Sequence, residues 1–129
     1  MIYLDSSALV TWVTRRAHVD ALEKFVGESA TRTCTSTIGL VETVRTCDRL
    51  GTFPRLMTAL LDDHDEVPIN ERVRDAAAYF PGQVRSLDAI HIASAEHLGP
   101  ELTALVTYDR RMAEAARAAG LPVVMPGLE

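Results

Sequence analysis

The chain has 129 residues and a formal charge of −5, with 47% hydrophobic and 24% charged residues. This is about one domain's worth of chain with enough apolar material to bury a core, and its acidic balance excludes a protein that coats nucleic acid by bulk positive charge. No apolar run approaches the roughly 20 residues of a membrane span, Met1 leads into Ile2-Tyr3-Leu4-Asp5 rather than a basic leader, and Cys34 and Cys47 are too few for a disulfide framework, so one cytoplasmic unit over 1–129 is expected, with no membrane association.

Ile2-Tyr3-Leu4 is apolar without a polar face, as expected of a strand buried on both sides. A helix follows from Ser6 to about Arg16 with Leu9, Val10, Trp12 and Val13 on its apolar side, and a second from His18 to Glu28 carries Leu22, Phe25 and Val26 at helical spacing. Thr33-Cys34-Thr35 reads as a brief strand. The next helix, Thr37 to Leu50, ends at Gly51, and another starting near Phe53-Pro54 carries Leu56, Met57, Leu60 and Leu61. Asp65 to Ile69 reads as a strand that Pro68 confines to a sheet edge or a strand end. Asn70 caps a helix that Pro81-Gly82 stops, and Ser86 opens one that runs to Leu98. A strand at Ala104–Thr107, a helix from Asp109 to Ala119 and a last strand at Pro122–Met125 complete the order. Short apolar strands alternating with helices predict an α/β domain with a mostly parallel sheet.

In such sheets the ligand crevice lies outside the carboxyl ends of the strands. Asp5 directly follows the first strand, and Asp109 lies just past the fourth; Asp88 stands in the first turn of the Ser86 helix, and Glu42 lies inside the Thr37 helix. Each has a plainer explanation. Asp5 and Asp109 stand where N-caps stand, and Asp88 complements a helix macrodipole. Glu42 shares a helix side with Ile38, Arg45 and Arg49, opposite Leu40, Val41, Val44 and Cys47, and could simply pair with Arg45. The combination argues for more. Carboxylates gathered at one rim repel unless a cation is present, and Mg²⁺ or Mn²⁺ suits oxygen ligands with water and phosphate.

Four segments carry a resemblance: Ile2 to Leu9, Ser36 to Arg45 with Val41-Glu42, Arg85 to Ala95 with Asp88-Ala89-Ile90-His91, and Leu105 to Met112 with Thr107-Tyr108-Asp109. In this order and spacing the sequence resembles a PIN domain, specifically a VapC-type toxin ribonuclease of a type II toxin–antitoxin pair. The resemblance implies a three-layer α/β/α fold around a parallel sheet of four to five strands. It implies that Asp5, Glu42, Asp88 and Asp109 bind Mg²⁺ or Mn²⁺, with Ser6 supporting the site when it is not merely capping the first helix. It also implies hydrolysis of RNA phosphodiester bonds, a homodimer, and a cognate VapB-like antitoxin that forms a heteromer with the toxin and blocks the acidic cleft.

The remaining residues fit that expectation. Setting aside the four acids leaves a charge of −5 + 4 = −1 on the rest of the chain. The basic residues are arginines except Lys24; of those near the acids, Arg45 and Arg85 are the preferred contacts for RNA phosphates, the others being equally suited to solvating helix faces. His18, His64, His91 and His97 are scattered and form no nucleophilic constellation with a cysteine; His91, three residues after Asp88, reads as a packing or hydrogen-bonding residue rather than a ligand. A phosphotransfer receiver would want a lysine at a strand end, where Lys24 is not, and an aspartyl-nucleophile phosphatase would want an acid at position 7, which is Ser7. The serious alternative is a catalytically silent PIN-like module that binds RNA or protein.

Overall fold

A computed structural model describes residues 1–128. Five parallel strands, β1 (Ile2–Leu4), β2 (Thr33–Ser36), β3 (Asp65–Val67), β4 (Ala104–Val106) and β5 (Val123–Val124), form one sheet in the order β3-β2-β1-β4-β5. The α-helices among the described residues are α1 (Ser6–Thr14), α2 (Val19–Ser29), α3 (Thr37–Leu50), α4 (Leu56–Asp63), α5 (Glu71–Ala78), α6 (Ser86–His97) and α7 (Arg110–Ala118). A parallel sheet with helices on both faces is the expected architecture, and β3 takes the edge that Pro68 demands.

The two-residue period of the strands sorts the core into two halves. Ile2, Leu4 and Val106 point to one face, where they meet Ala8, Leu9, Leu22, Leu40 and Leu60 from α1 to α4. Tyr3, Cys34 and Leu105 point to the other, where Ile92, Ala95, Met112 and Ala116 of α6 and α7 cover them. Fully burying one such aliphatic side chain contributes about 1.5–3 kcal/mol. β1 lies at the centre, with all three residues buried.

Three details differ from the expectation. The buried side of α3 is Gly39, Leu40, Thr43 and Cys47, and Val41 is exposed. Amphipathic spacing places Val41 beside Leu40, but α3 packs against α1 and β2 through its small residues, and the thin stripe leaves Val41 outside. On α4, only Leu60 is fully buried, and Met57 and Leu61 stay exposed. Gly51 does end α3, but with extended backbone (φ 178°) rather than a left-handed turn.

Candidate active site

The carboxyl ends of the two central strands build the floor of a pocket. Leu4 and Val106 are paired in register, so Asp5 and Thr107, one residue further on, lie side by side. The Asp5 amide donates to the Val106 carbonyl at 3.2 Å, and its carboxylate caps α1 by accepting the Ala8 amide at 3.0 Å on Oδ1. Ser7 Oγ donates to the same oxygen at 2.6 Å, and Thr107 Oγ1 donates to Oδ2. Asp5 is only 2% exposed. Burial pushes its carboxyl above the usual range, against the opposing pull of His91 and of the donors from Ser7, Thr107 and Ala8.

Asp109 caps α7. Its Oδ1 accepts the Arg111 amide at 2.9 Å and the Met112 amide at 3.3 Å, while Oδ2 accepts from Arg85 at 3.0 Å. Burial pushes this carboxyl up, but the Met112 amide, Arg85 and the Arg111 amide outweigh it and hold Asp109 below the ordinary carboxylate value. Asp88, in the first turn of α6, accepts from Arg85 Nε at 2.8 Å. One guanidinium therefore bridges two of the four acids. Glu42 reaches in from α3 and accepts from His91 Nε2 at 2.7 Å.

Asp5, Glu42, Asp88 and Asp109 all line one cavity of about 280 Å³, together with Ser6, Ser7, Arg85 and His91. For Asp5 and Asp109, capping and membership of the pocket both hold. Ser6 lies at the rim, but the hydroxyl that steadies Asp5 belongs to Ser7, and the cap of α1 is Asp5 itself, not Ser6. Arg85 is the arginine that the acids capture. Arg45 is exposed on α3 and lies outside the residues lining this pocket. Sequence reasoning missed Thr107, which receives the Asp109 amide at 3.0 Å while bonding Asp5. Its signal is a hydroxyl at a strand end, two residues before an aspartate.

The PIN domain model matches residues 2–118. The chain belongs to the PIN domain family. Ribonuclease VapC47 of Mycobacterium tuberculosis is 38% identical over 98% of both chains, and Ribonuclease VapC35 of the same species 40% identical over 98% of both. Ribonuclease VapC46, also from M. tuberculosis, is 37% identical over 97% of both. Among solved structures, FitAcB from Neisseria gonorrhoeae superposes with a TM-score of 0.66 at 19% identity, covering 100% of both chains. FitAB bound to an IR36 DNA fragment gives 0.64 at 17% identity, over 96% of this chain and 94% of that one. These structures share the PIN fold.

The donor chemistry of this PIN-domain pocket suits a hard divalent cation, since its anionic groups are all carboxylates. Closure is looser than the sequence implies. Among the described residues no three carboxylate, imidazole or thiolate groups are drawn close enough together to enclose an ion. Mg²⁺ does not require such a cage, because it keeps several waters and binds through one or two carboxylates plus substrate phosphate. An open, partly hydrated site fits that habit.

Proposed function

We propose that the protein is a metal-dependent endoribonuclease, the toxin of a VapBC-type pair, that hydrolyses RNA phosphodiester bonds at the pocket of Asp5, Glu42, Asp88 and Asp109. The observation that carries this reading is the convergence of four acids from four separate elements on one cavity, in a chain whose full-length relatives are named as VapC ribonucleases. Asp5, Asp88 and Asp109, with Glu42, would hold Mg²⁺ or Mn²⁺. Such an ion supplies a water of lowered pKa and compensates the charge that builds on the phosphate.

The protein's own groups supply the rest. Ser7 and Thr107 fix both oxygens of Asp5, and the α7 amides fix one oxygen of Asp109, so neither carboxylate must be ordered when substrate arrives. Arg85, whose side chain is 54% exposed, can exchange its carboxylates for an RNA phosphate. Arg45, exposed on α3, would supply a further phosphate contact outside the pocket. The partner is a VapB-like antitoxin, and the toxin forms a homodimer in the cytoplasm; exposed Val41, Leu50 and Leu87 offer apolar surface for partner chains.

The test is cleavage of single-stranded RNA by purified protein with Mg²⁺ or Mn²⁺, repeated with chelator, with Asp5→Asn and with Asp88→Asn. Cleavage should vanish in all three. Cleavage that persists would overturn the assignment, and an inert wild type that still binds RNA or an antitoxin would favour a silent PIN module.

A further inference from the structure

A polar relay runs beneath the pocket, through groups buried in the core. Tyr3 points from the central strand into the α6 side of the core and is fully buried. Its hydroxyl lies 2.7 Å from Nδ1 of His91, which is 2% exposed, and the opposite ring nitrogen lies 2.7 Å from Glu42 Oε1. The Tyr3 and His91 rings meet edge-on with centroids 5.8 Å apart. The Glu42 carboxylate is an acceptor, so Nε2 donates to it, while Nδ1 on the other side of the ring meets the Tyr3 hydroxyl.

Space for the ring is reserved by Gly39 in the first turn of α3. A Cβ there would stand 2.0 Å from Thr35 Oγ1 and 3.3 Å from His91 Cε1. The absence of a side chain at position 39 therefore lets α3, β2 and α6 close around the imidazole.

We infer that His91 is a positioning residue: anchored by Tyr3, it holds one oxygen of Glu42 so that the carboxylate faces the metal pocket from α3. Glu42 needs this more than the other acids. Asp5 and Asp109 are oriented by the helix amides they cap, and Asp88 sits in the first turn of α6, whereas Glu42 stands inside a helix on a longer, more flexible side chain. Hydrogen-bond partners that orient metal-binding side chains characteristically govern affinity, and losing one costs about 10–100-fold. This inference rests on the metal-site reading above.

Mn²⁺ titration calorimetry on the full chain tests it, with RNA cleavage as a second readout. His91→Phe should weaken Mn²⁺ binding by about 10–100-fold, and His91→Gln, whose amide can donate to Glu42, should recover most of the loss. Cleavage by His91→Phe should lose kcat at low Mn²⁺ and regain it at high Mn²⁺, with KM for RNA unchanged. In a Glu42→Gln background, His91→Phe should produce little further loss of Mn²⁺ affinity, because the coupling passes through Glu42. Should His91→Phe not fold, Tyr3→Phe carries the test, with a smaller loss of the same kind. Unchanged Mn²⁺ affinity in folded His91→Phe, or an equal loss with and without Glu42, would overturn the role of His91. If Asp5→Asn and Asp88→Asn also bind Mn²⁺ like the wild type, the metal-site reading itself is at fault.

Discussion

Asp5→Asn should make the metal-free protein more stable while abolishing its chemistry. Asp5 is almost fully buried, and desolvation pushes its carboxyl above the usual range. A carboxyl with a raised folded-state value contributes stability that is complete below the unfolded value of about 3.9 and is lost as pH rises through the folded value. Folding therefore grows less favourable as pH rises from acid, because the unfolded carboxyl ionises freely while the buried one resists ionisation. Asparagine keeps an oxygen to accept the Ala8 amide and the Ser7 hydroxyl, and its amide can donate to Thr107, whose hydroxyl also accepts. Relief of a strained functional site yields about 0.5–2 kcal/mol. For a domain of this size that is a rise in Tm of about 2–8 °C. Thermal and urea unfolding in chelator at pH 7.5 measures the gain, which should shrink towards pH 4. Adding Mn²⁺ at 100 times its Kd should stabilise the wild type by about 2.7 kcal/mol and Asp5→Asn by much less, reversing the order. A variant less stable than wild type in chelator, or one that gains equally from Mn²⁺, would refute the reasoning.

Three further outcomes follow from the same geometry. Asp109→Ala removes the cap of α7 and should cost about 0.5–2 kcal/mol in urea unfolding, whereas Asp88→Asn, which removes no cap, should cost less while abolishing cleavage equally. Arg85→Ala frees Asp88 and Asp109 of their guanidinium, so Mn²⁺ should bind more tightly by calorimetry while KM for RNA rises. His64 is held below the usual imidazole value by burial, against the opposing charges of Asp63 and Asp65. Its contribution to stability is present above about pH 6.5 and is lost as pH falls through the folded value; urea unfolding at pH 7.5 and 5.0 should show a drop that His64→Gln reduces.

The sheet and two of the four acids, Asp5 and Asp109, were legible from local signals, whereas Asp88 and Glu42 joined the set only through the family resemblance. Ile2-Tyr3-Leu4 and Ala104-Leu105-Val106 announce buried strands by composition, and an acid just beyond a parallel strand is at the crevice by topology. The relay was not legible. Tyr3 reads as one more apolar strand residue, and nothing in a pattern of period 2 says that its hydroxyl meets an imidazole 88 positions away. Ser6 and Ser7 are chemically identical in sequence. Only the geometry of the α1 start decides that position 7 turns back onto Asp5. The face of α3 went astray for a related reason: its contacts are made by Gly39 and Thr43, small residues that carry no hydrophobic signal, so Val41 seemed the better candidate for burial.

Capping and chemistry are competing explanations for an aspartate only while its two oxygens are treated as one. Asp109 divides them: Oδ1 receives the two amides of α7, and Oδ2 faces Arg85 in the pocket. Asp5 divides them too, with the cap and Ser7 on Oδ1 and Thr107 on Oδ2. The helix N-terminus is then the device that orients the carboxylate, and its partial positive charge favours the ionised form that a cation needs. Glu42 has no helix end to borrow, and His91 takes that part. Alanine substitutions at these positions therefore mix lost orientation with lost charge, whereas asparagine at 5 and 109 keeps the cap and removes the charge alone. A site whose chemistry depends on charge must lose cleavage with asparagine as completely as with alanine, while stability separates the two.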